Sequence, residues 1–193
     1  VKEYLEEHYD EGKADLATAF VLRCLELCEQ GGSTALVTPQ NWLFLVGYKK
    51  LRETLLKART WNALASLGEE AWWSFGIRGP RTVLQVLTET KPDLSSRFLG
   101  IDVSTIRGET PILWEEKAVQ LAGQGAKVVR MVRQNDQLQN PDFKITFGSH
   151  SDTTLLQDAA RSFQGLKTGD DERFRRYFWE VNRGGRWRKY QST

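Results

Sequence analysis

The sequence predicts an α/β fold, because short apolar strands alternate with helical segments over about its first ninety residues. The chain has 193 residues, of which 40% are hydrophobic and 27% charged, a composition typical of a globular protein with its own core. Its elements follow the order helix, strand, helix, strand, loop, strand, which is half of an open α/β sheet. No apolar run approaches the roughly twenty residues that span a bilayer, so we expect no membrane association. Collagen-like, coiled-coil and disulfide-rich folds are excluded as well.

The first helix is predicted over residues 15–30, with Asp15 as its N-cap and Gly31-Gly32 as its C-terminal stop. Apolar residues recur at helical spacing along it. One face carries Leu16, Phe20, Cys24 and Leu27, with Ala17, Val21 and Cys28 beside it. Residues 35–37 then predict a short strand, and its place after a helix and a glycine turn indicates a buried parallel strand.

A second helix is predicted over residues 42–57, followed by strands at 61–67 and 82–88. No helix long enough for a crossover separates these two strands. We therefore expect them to form an antiparallel hairpin at the edge of the sheet.

The second half of the chain has a looser pattern. It predicts a helix over 112–121 and strands over 127–132 and 142–147. We divide the chain into a first region at 1–92, a mixed α+β linker at 93–160 and a C-terminal region at 161–193.

Two cysteines, Cys24 and Cys28, lie one helical turn apart. That spacing suits a disulfide poorly, and no further cysteine or histidine pair completes a zinc site. We interpret them as small buried apolar residues and predict no metal. A reduced compartment fits best, which predicts a cytoplasmic protein.

Charge is unevenly distributed. The formal net charge is +2, yet residues 161–193 carry nine Lys/Arg against four Asp/Glu. Aromatic residues are interleaved with this basic cluster, which indicates contact with the phosphates of a nucleic acid, although a solvated surface is the plainer alternative. Its members are Arg173, Arg175, Arg176, Arg183, Arg186, Arg188 and Lys189.

Two stretches resemble one known family. Lys13-Ala14-Asp15-Leu16-Ala17-Thr18-Ala19-Phe20, Gly31-Gly32 and the run from Ala35 to Phe44 resemble the second half of an amino-methyltransferase domain. The run Phe163-Gln164-Gly165-Leu166-Lys167-Thr168-Gly169-Asp170, with Arg173-Phe174, Trp179 and Glu180, resembles the passage from catalytic domain to target recognition. Together they resemble the Pgl-type adenine-specific DNA methyltransferases of bacterial phage-exclusion (BREX) systems.

This resemblance implies S-adenosylmethionine-dependent methylation of adenine N6 in duplex DNA, on a base flipped out of the helix. It implies the C-terminal half of a Rossmann-like methyltransferase sheet, then the mixed linker and the start of a target-recognition region. The family's Gly-rich cofactor loop and its catalytic Asn-Pro-Pro-Tyr loop are not in this sequence. The nearest match, Asn140-Pro141-Asp142-Phe143, lies downstream of the predicted sheet. We therefore expect a fragment whose catalytic and cofactor motifs lie upstream of Val1, and which is inactive alone.

The resemblance suggests an aromatic site residue, and position along the chain suggests further candidates. Trp72, with Phe75 as second choice, matches the aromatic that stacks on the flipped adenine, and the alternative is that it covers a sheet edge. Gln40 and Asn41 follow a strand end and are candidates for the cleft, although Asn41 is equally a candidate N-cap. The turn at 165–170 offers Lys167 and Thr168 to a phosphate.

Expected partners are double-stranded DNA and the other proteins of a phage-exclusion or restriction-modification system. Two alternatives from other classes stay open. One is a stand-alone nucleic-acid-binding module without catalysis. The other is a methyltransferase-like subunit that docks on a catalytic partner through an open sheet edge.

Overall fold

A computed structural model describes residues 1–68, 80–106, 112–123, 129–148, 159–161, 171–177 and 179–181. The helices are α1 (Lys2–His8), α2 (Leu16–Glu26), α3 (Lys49–Ala58), α4 (Ile112–Leu121) and α5 (Asp171–Phe174). The strands are β1 (Ser33–Pro39), β2 (Thr60–Gly68), β3 (Thr82–Thr88), β4 (Arg97–Asp102) and β5 (Val129–Arg133). In these ranges no helix combines the length and the apolarity that crossing a bilayer requires.

The five strands form one mixed sheet in the order β1-β3-β2-β4-β5. β3 pairs antiparallel with both β1 and β2, β2 pairs parallel with β4, and β4 pairs antiparallel with β5. The predicted α/β class is therefore confirmed. So is the antiparallel pairing of β2 with β3.

Two predictions about strand positions are wrong. The β2–β3 pair does not lie at the sheet edge, because β3 inserts between β1 and β2, and β4 with β5 extends the sheet beyond β2. β1 is not a buried parallel strand. It ends the sheet, its only partner in the described part of the chain is the antiparallel β3, and alternate residues along it are exposed.

Each face of the sheet carries an apolar cluster, as the alternation of side chains along a strand requires. On the first face, Val21 and Leu25 of α2 and Leu51 and Leu55 of α3 pack with strand residues such as Trp61. On the second face, Ala65 and Ile101 pack with Leu121 at the end of α4. We use the terms first face and second face in this sense below.

Helix α2 begins at its predicted N-cap, where the Asp15 carboxylate accepts a hydrogen bond of 2.8 Å from the Ala17 N–H. It ends four residues early, at Glu26, so Gly31, with φ of 80°, lies in the turn to β1 and is not a C-cap. The buried residues of α2 are Thr18, Ala19, Val21 and Leu25. Three residues of the predicted apolar face instead lie at the surface, with Leu16 53%, Phe20 59% and Leu27 68% exposed. Cys24 and Cys28 are half-buried free thiols, so burial is only partial.

The predicted helix over 42–57 is only partly correct. Residues Gln40–Leu43 and Val46–Tyr48 form 3₁₀ turns, and the α-helix begins at Lys49. The main-chain carbonyls of Trp42 and Leu45 accept hydrogen bonds from the Arg52 side chain, so they need no helical N–H.

Helix α4 and strand β5 confirm two predictions for the second half, whereas the strand predicted over 142–147 is wrong. Asp142 and Phe143 have φ of 54° and 56°, a left-handed conformation that no strand adopts. Side chains pair with the backbone here instead of a neighbouring strand. The Asn140 amide donates to the Lys144 carbonyl, and the Gln137 amide oxygen accepts from the Thr146 N–H.

The chain divides into two compact units, residues 1–149 and 150–193. The first unit contains the whole sheet, including β4 and β5. The division into regions at 1–92, 93–160 and 161–193 stays a prediction.

Candidate functional site

The loop that follows β1 is the candidate site of the first unit that the structure describes. β1 ends at Pro39, and the 3₁₀ turn Gln40–Leu43 begins at once. The Gln40 N–H donates to the Arg81 carbonyl at 2.9 Å, and the Trp42 indole N–H donates to the Thr38 hydroxyl at 3.0 Å. Both bonds tie the loop to the sheet, because Arg81 directly precedes β3 and Thr38 belongs to β1.

The Arg52 side chain supports the loop after β1 through hydrogen bonds. It lies one turn into α3, is fully buried, and donates to three main-chain carbonyls. Its Nη1 donates to the Trp42 and Leu45 carbonyls at 2.6 and 2.8 Å. Its Nε and Nη2 both donate to the Asp142 carbonyl, at 3.2 and 2.8 Å. One side chain therefore joins the loop after β1 to the left-handed turn at Asp142.

The charge of Arg52 has little compensation. Burial lowers its pKa, and the nearby Asp142 carboxylate acts in the opposite direction. The Asp142 carboxylate forms its ion pair with Lys49, at 3.1 Å. Of Asp142, Arg52 binds the main-chain carbonyl and not the carboxylate. An arginine buried among main-chain carbonyls is a rigid support, because its planar fork fixes the direction of each bond.

Gln40 and Asn41 differ in their surroundings. Gln40 is half-buried, and its Oε1 is buried without a hydrogen-bond partner in the described part of the chain. Asn41 is exposed. It is not the N-cap of α3, because that helix begins at Lys49 with Tyr48 at the cap position. Their role in a cleft stays a prediction.

The predicted base-stacking residues, Trp72 and Phe75, lie outside the described residues. Lys167, Thr168, Arg183, Arg186, Arg188 and Lys189 lie outside them too. Their roles stay predictions.

Part of the predicted basic cluster is described. Arg173, Arg175 and Arg176 are exposed in and just after α5, and the Arg173 guanidinium lies 5.3 Å from the ring centroid of Phe174. The rings of Tyr177 and Trp179 stack at 4.4 Å with an interplanar angle of 3°. These aromatics are more than half exposed. Flat rings and guanidinium groups at a surface are the chemistry that binds bases and phosphates.

Two buried polar side chains that support neighbouring segments, Arg52 and Gln134, were not predicted from the sequence. Gln134 follows β5; its Oε1 accepts from the Trp61 N–H at 2.9 Å, and its Nε2 donates to the Leu56 and Arg59 carbonyls. It thereby connects the end of α3, the start of β2 and the end of β5. For Arg52 a signal exists, because Tyr48, Arg52 and Leu56 recur every four residues and share a helix face. No local sequence pattern around Gln134 predicts its role.

Comparison with known proteins agrees with the predicted resemblance. Residues 1–73 match the family model of the Eco57I restriction-modification methylases. Over 72 residues the chain is 33% identical to "Adenine-specific methyltransferase BrxX" of Escherichia coli O9:H4 (strain HS). Over 88 residues it is 30% identical to "Adenine-specific methyltransferase PglX" of Lacticaseibacillus casei (strain Zhang). The resemblance to the phage-exclusion adenine methyltransferases is thus confirmed for this part of the chain.

The matched parts are small. They cover 37% and 46% of this chain and only 6% and 7% of the two relatives. Among solved structures, the methyltransferase subunit of a type I restriction-modification system from Streptococcus thermophilus is similar, with a TM-score of 0.51 and 16% identity. That match covers 74% of this chain and 33% of the subunit, and it supports the methyltransferase-like fold.

Proposed function

We propose that this chain, similar over its first 73 residues to a restriction-modification methylase family, is part of a DNA adenine-N6 methyltransferase of a phage-defence system. The observation that carries the proposal is the position of this match. It spans α1 to β2, and so includes β1, the loop after it and the helix with Arg52. The donor would be S-adenosylmethionine, and the substrate an adenine in duplex DNA. Other proteins of the defence system would be its partners.

Within that enzyme, this chain would supply one wall of the base pocket. Gln40 Oε1, which is buried and has no hydrogen-bond partner among the described residues, is an acceptor that follows a strand end, where open α/β sheets bind ligands. An extruded adenine presents an amino group that donates hydrogen bonds. Arg52 would act as a positioning residue, because it fixes the loop that carries Gln40. Trp72 or Phe75 would stack on the flipped base, which is worth about 1–3 kcal/mol.

The residues of this loop do not together form a site that fits S-adenosylmethionine. The loop after β1 has no glycine from Gln40 to Val46, and Gln40 Oε1 is a single acceptor. We therefore assign S-adenosylmethionine to other parts of the enzyme and derive no methyl-transfer step from this chain. The chain alone is predicted to be inactive.

Methyl transfer to duplex DNA tests this function. We expect the intact protein to form N6-methyladenine, and the Q40A/N41A variant to form it at least about tenfold more slowly, as removal of a positioned hydrogen bond predicts. N135A/Q139A is the matched control, because it removes the same two residue types from another 3₁₀ turn, Asn135–Gln139. Absence of N6-methyladenine with the intact protein would refute the function. Equal rates for Q40A/N41A and its control would refute only the assignment of the pocket.

A second candidate function, docking through an open sheet edge, has its own support. Among the described strands β1 ends the sheet, and α2, which packs on β1, exposes Leu16 and Phe20, with Leu27 exposed just after it. A strand whose outer edge has no partner among the described residues, next to a helix with exposed apolar side chains, fits a strand-and-helix unit. We propose that such a unit, from the longer methyltransferase, covers this surface. Light scattering of the isolated chain, where the surface would be free, should show self-association, and a monomer at high concentration would argue against it.

A further inference from the structure

The opposite edge of the sheet carries two arginines in direct register. In the antiparallel pair β4–β5, Arg97 lies opposite Arg133, Leu99 opposite Met131, and Ile101 opposite Val129. Alternation places all six side chains on the second face. Leu99, Ile101 and Val129 belong to its apolar cluster, whereas Arg97 and Arg133 are exposed at the end of the two strands.

This arrangement is unfavourable for folding. Side chains directly opposite in an antiparallel pair have Cβ atoms about 4.5–5.5 Å apart, and like charges at that position destabilise the sheet. Neither the Arg97 nor the Arg133 side chain has a hydrogen bond or an ion pair with a residue that the structure describes. Other arginines do have acidic partners: Arg59 pairs with Glu89, and Arg23 with Glu26.

Nearby acidic groups do not neutralise the pair. Asp93 lies four residues before Arg97, and its Oδ1 accepts from the Ser95 N–H at 2.7 Å and from the Ser95 and Ser96 hydroxyls. Asp136 is exposed in the turn that follows β5, and Glu89 is paired with Arg59. The two guanidinium groups therefore present an uncompensated positive site.

The same end of the sheet is polar on the neighbouring strands. The hydroxyls of Ser33 on β1 and Thr88 on β3 are 2.7 Å apart, and Thr88 donates to the Asn62 amide oxygen on β2 at 2.6 Å. A row of hydroxyl and amide groups thus lies on the strands beside the arginine pair. Hydroxyl, amide and guanidinium groups are the side chains that contact DNA backbones.

We propose that Arg97 and Arg133 together bind a phosphate of a DNA backbone. A phosphate accepts several hydrogen bonds, so one phosphate could bind two guanidinium forks that lie opposite each other in register and would remove the repulsion between them. The two arginines belong to the first unit, whereas the predicted basic cluster belongs to the second. The proposal rests on the proposed function, because DNA is the polyanion that it supplies.

The test measures the affinity of the intact protein for a labelled DNA duplex at several salt concentrations. The R97Q/R133Q variant should lower the slope of log K against log salt by about 1, as the loss of one phosphate contact predicts, and weaken binding roughly tenfold at about 0.1 M salt. The control K2Q/R23Q removes the same charge from residues that pair with Glu6 and Glu26. It should bind DNA almost as the wild type does.

A second variant excludes misfolding as the explanation. R133E places opposite charges in register, so its Tm should rise by about 1–4 °C while its DNA affinity falls. If R97Q/R133Q and R133E bind DNA like the control, the arginine pair contacts something else, such as an acidic protein, and the inference is wrong. If the wild type binds no DNA at any salt concentration, the proposed function falls with it. Loss confined to these variants supports the inference.

Discussion

The two edges of the sheet expose opposite chemistry. β1 has no charged side chain, and the helix that packs on it exposes Leu16, Phe20 and Leu27. β5, at the other end, carries Arg130 and Arg133, with Arg97 opposite Arg133 on β4. An apolar edge suits another part of a protein, whereas a basic edge suits a nucleic acid. One small sheet thus offers separate surfaces to two kinds of partner.

The segments behind the two edges are nevertheless supported in the same way. A buried polar side chain fixes the segment after each edge strand. Arg52 donates to carbonyls of the loop after β1, and Gln134, directly after β5, binds main-chain groups at the end of α3 and the start of β2. A buried carbonyl or N–H without a partner costs about 1–3 kcal/mol. The edges differ in what they expose and resemble each other in how they are fixed. The following predictions test that contrast.

The largest effect is expected for R52M. It removes the donors to the carbonyls of Trp42 and Leu45 in the loop after β1 and to that of Asp142, and should lower the free energy of unfolding by about 3–5 kcal/mol. R52K should recover only part of this, because an ammonium group cannot reproduce the planar fork. Urea denaturation measures both, with R23M on the surface of α2 as the control. A loss below about 1 kcal/mol would mean that the loop after β1 is held by other contacts.

Q134L should lower the free energy of unfolding by about 2–3 kcal/mol. It removes the acceptor of the Trp61 N–H and the donor to the Leu56 and Arg59 carbonyls. Q139L, at an exposed position of the turn Asn135–Gln139, is the matched control and should change stability by less than about 0.5 kcal/mol. Equal stabilities of the two variants would show that Gln134 is not a support of the β5 side.

L16S/F20S should leave stability within about 0.5 kcal/mol of the wild type, because both side chains are already more than half exposed. It should reduce self-association of the isolated chain, measured by light scattering. V119S, at a 43% exposed position on α4, serves as the control. If L16S/F20S associates as strongly as the wild type, the proposal that this side of the sheet binds protein is wrong.

The smallest effect concerns Asp93, just before β4. Hydrogen bonds from Ser95 and Ser96 lower the pKa of its carboxyl group. Because the folded pKa lies below the unfolded value, this contribution to stability is present above the unfolded pKa and is lost as the pH falls through the folded one. S95A/S96A should shift the Asp93 pKa upward in an NMR titration. An unchanged pKa would contradict the assigned cause.

Local patterns account for much of the fold. The N-cap at Asp15, helix α4 and the strands β2, β3 and β5 follow from residue type and spacing. The order of the strands did not follow, because the insertion of β3 between β1 and β2 depends on pairing between distant segments. The surface face of α2 was misassigned for a related reason. The apolar residues of α2 indicate that a packing partner covers them, but the sequence pattern does not identify that partner.

The candidate site was less predictable than the fold. Gln40 and Asn41 are predicted from their place after a strand, and their role stays a prediction, whereas Arg52 and Gln134 act through main-chain groups distant in sequence. Such bonds depend on where the chain folds back. The pair Arg97–Arg133 was missed likewise, because only the register of β4 against β5 brings the two residues together.

The most direct test of the two-edge account compares R97Q/R133Q with L16S/F20S in DNA binding by the intact protein across salt concentrations. We predict that R97Q/R133Q lowers both affinity and salt slope, and that L16S/F20S retains the wild-type values, because phosphates are bound at one edge only. An equal loss in both variants, or no loss in R97Q/R133Q, would contradict the account.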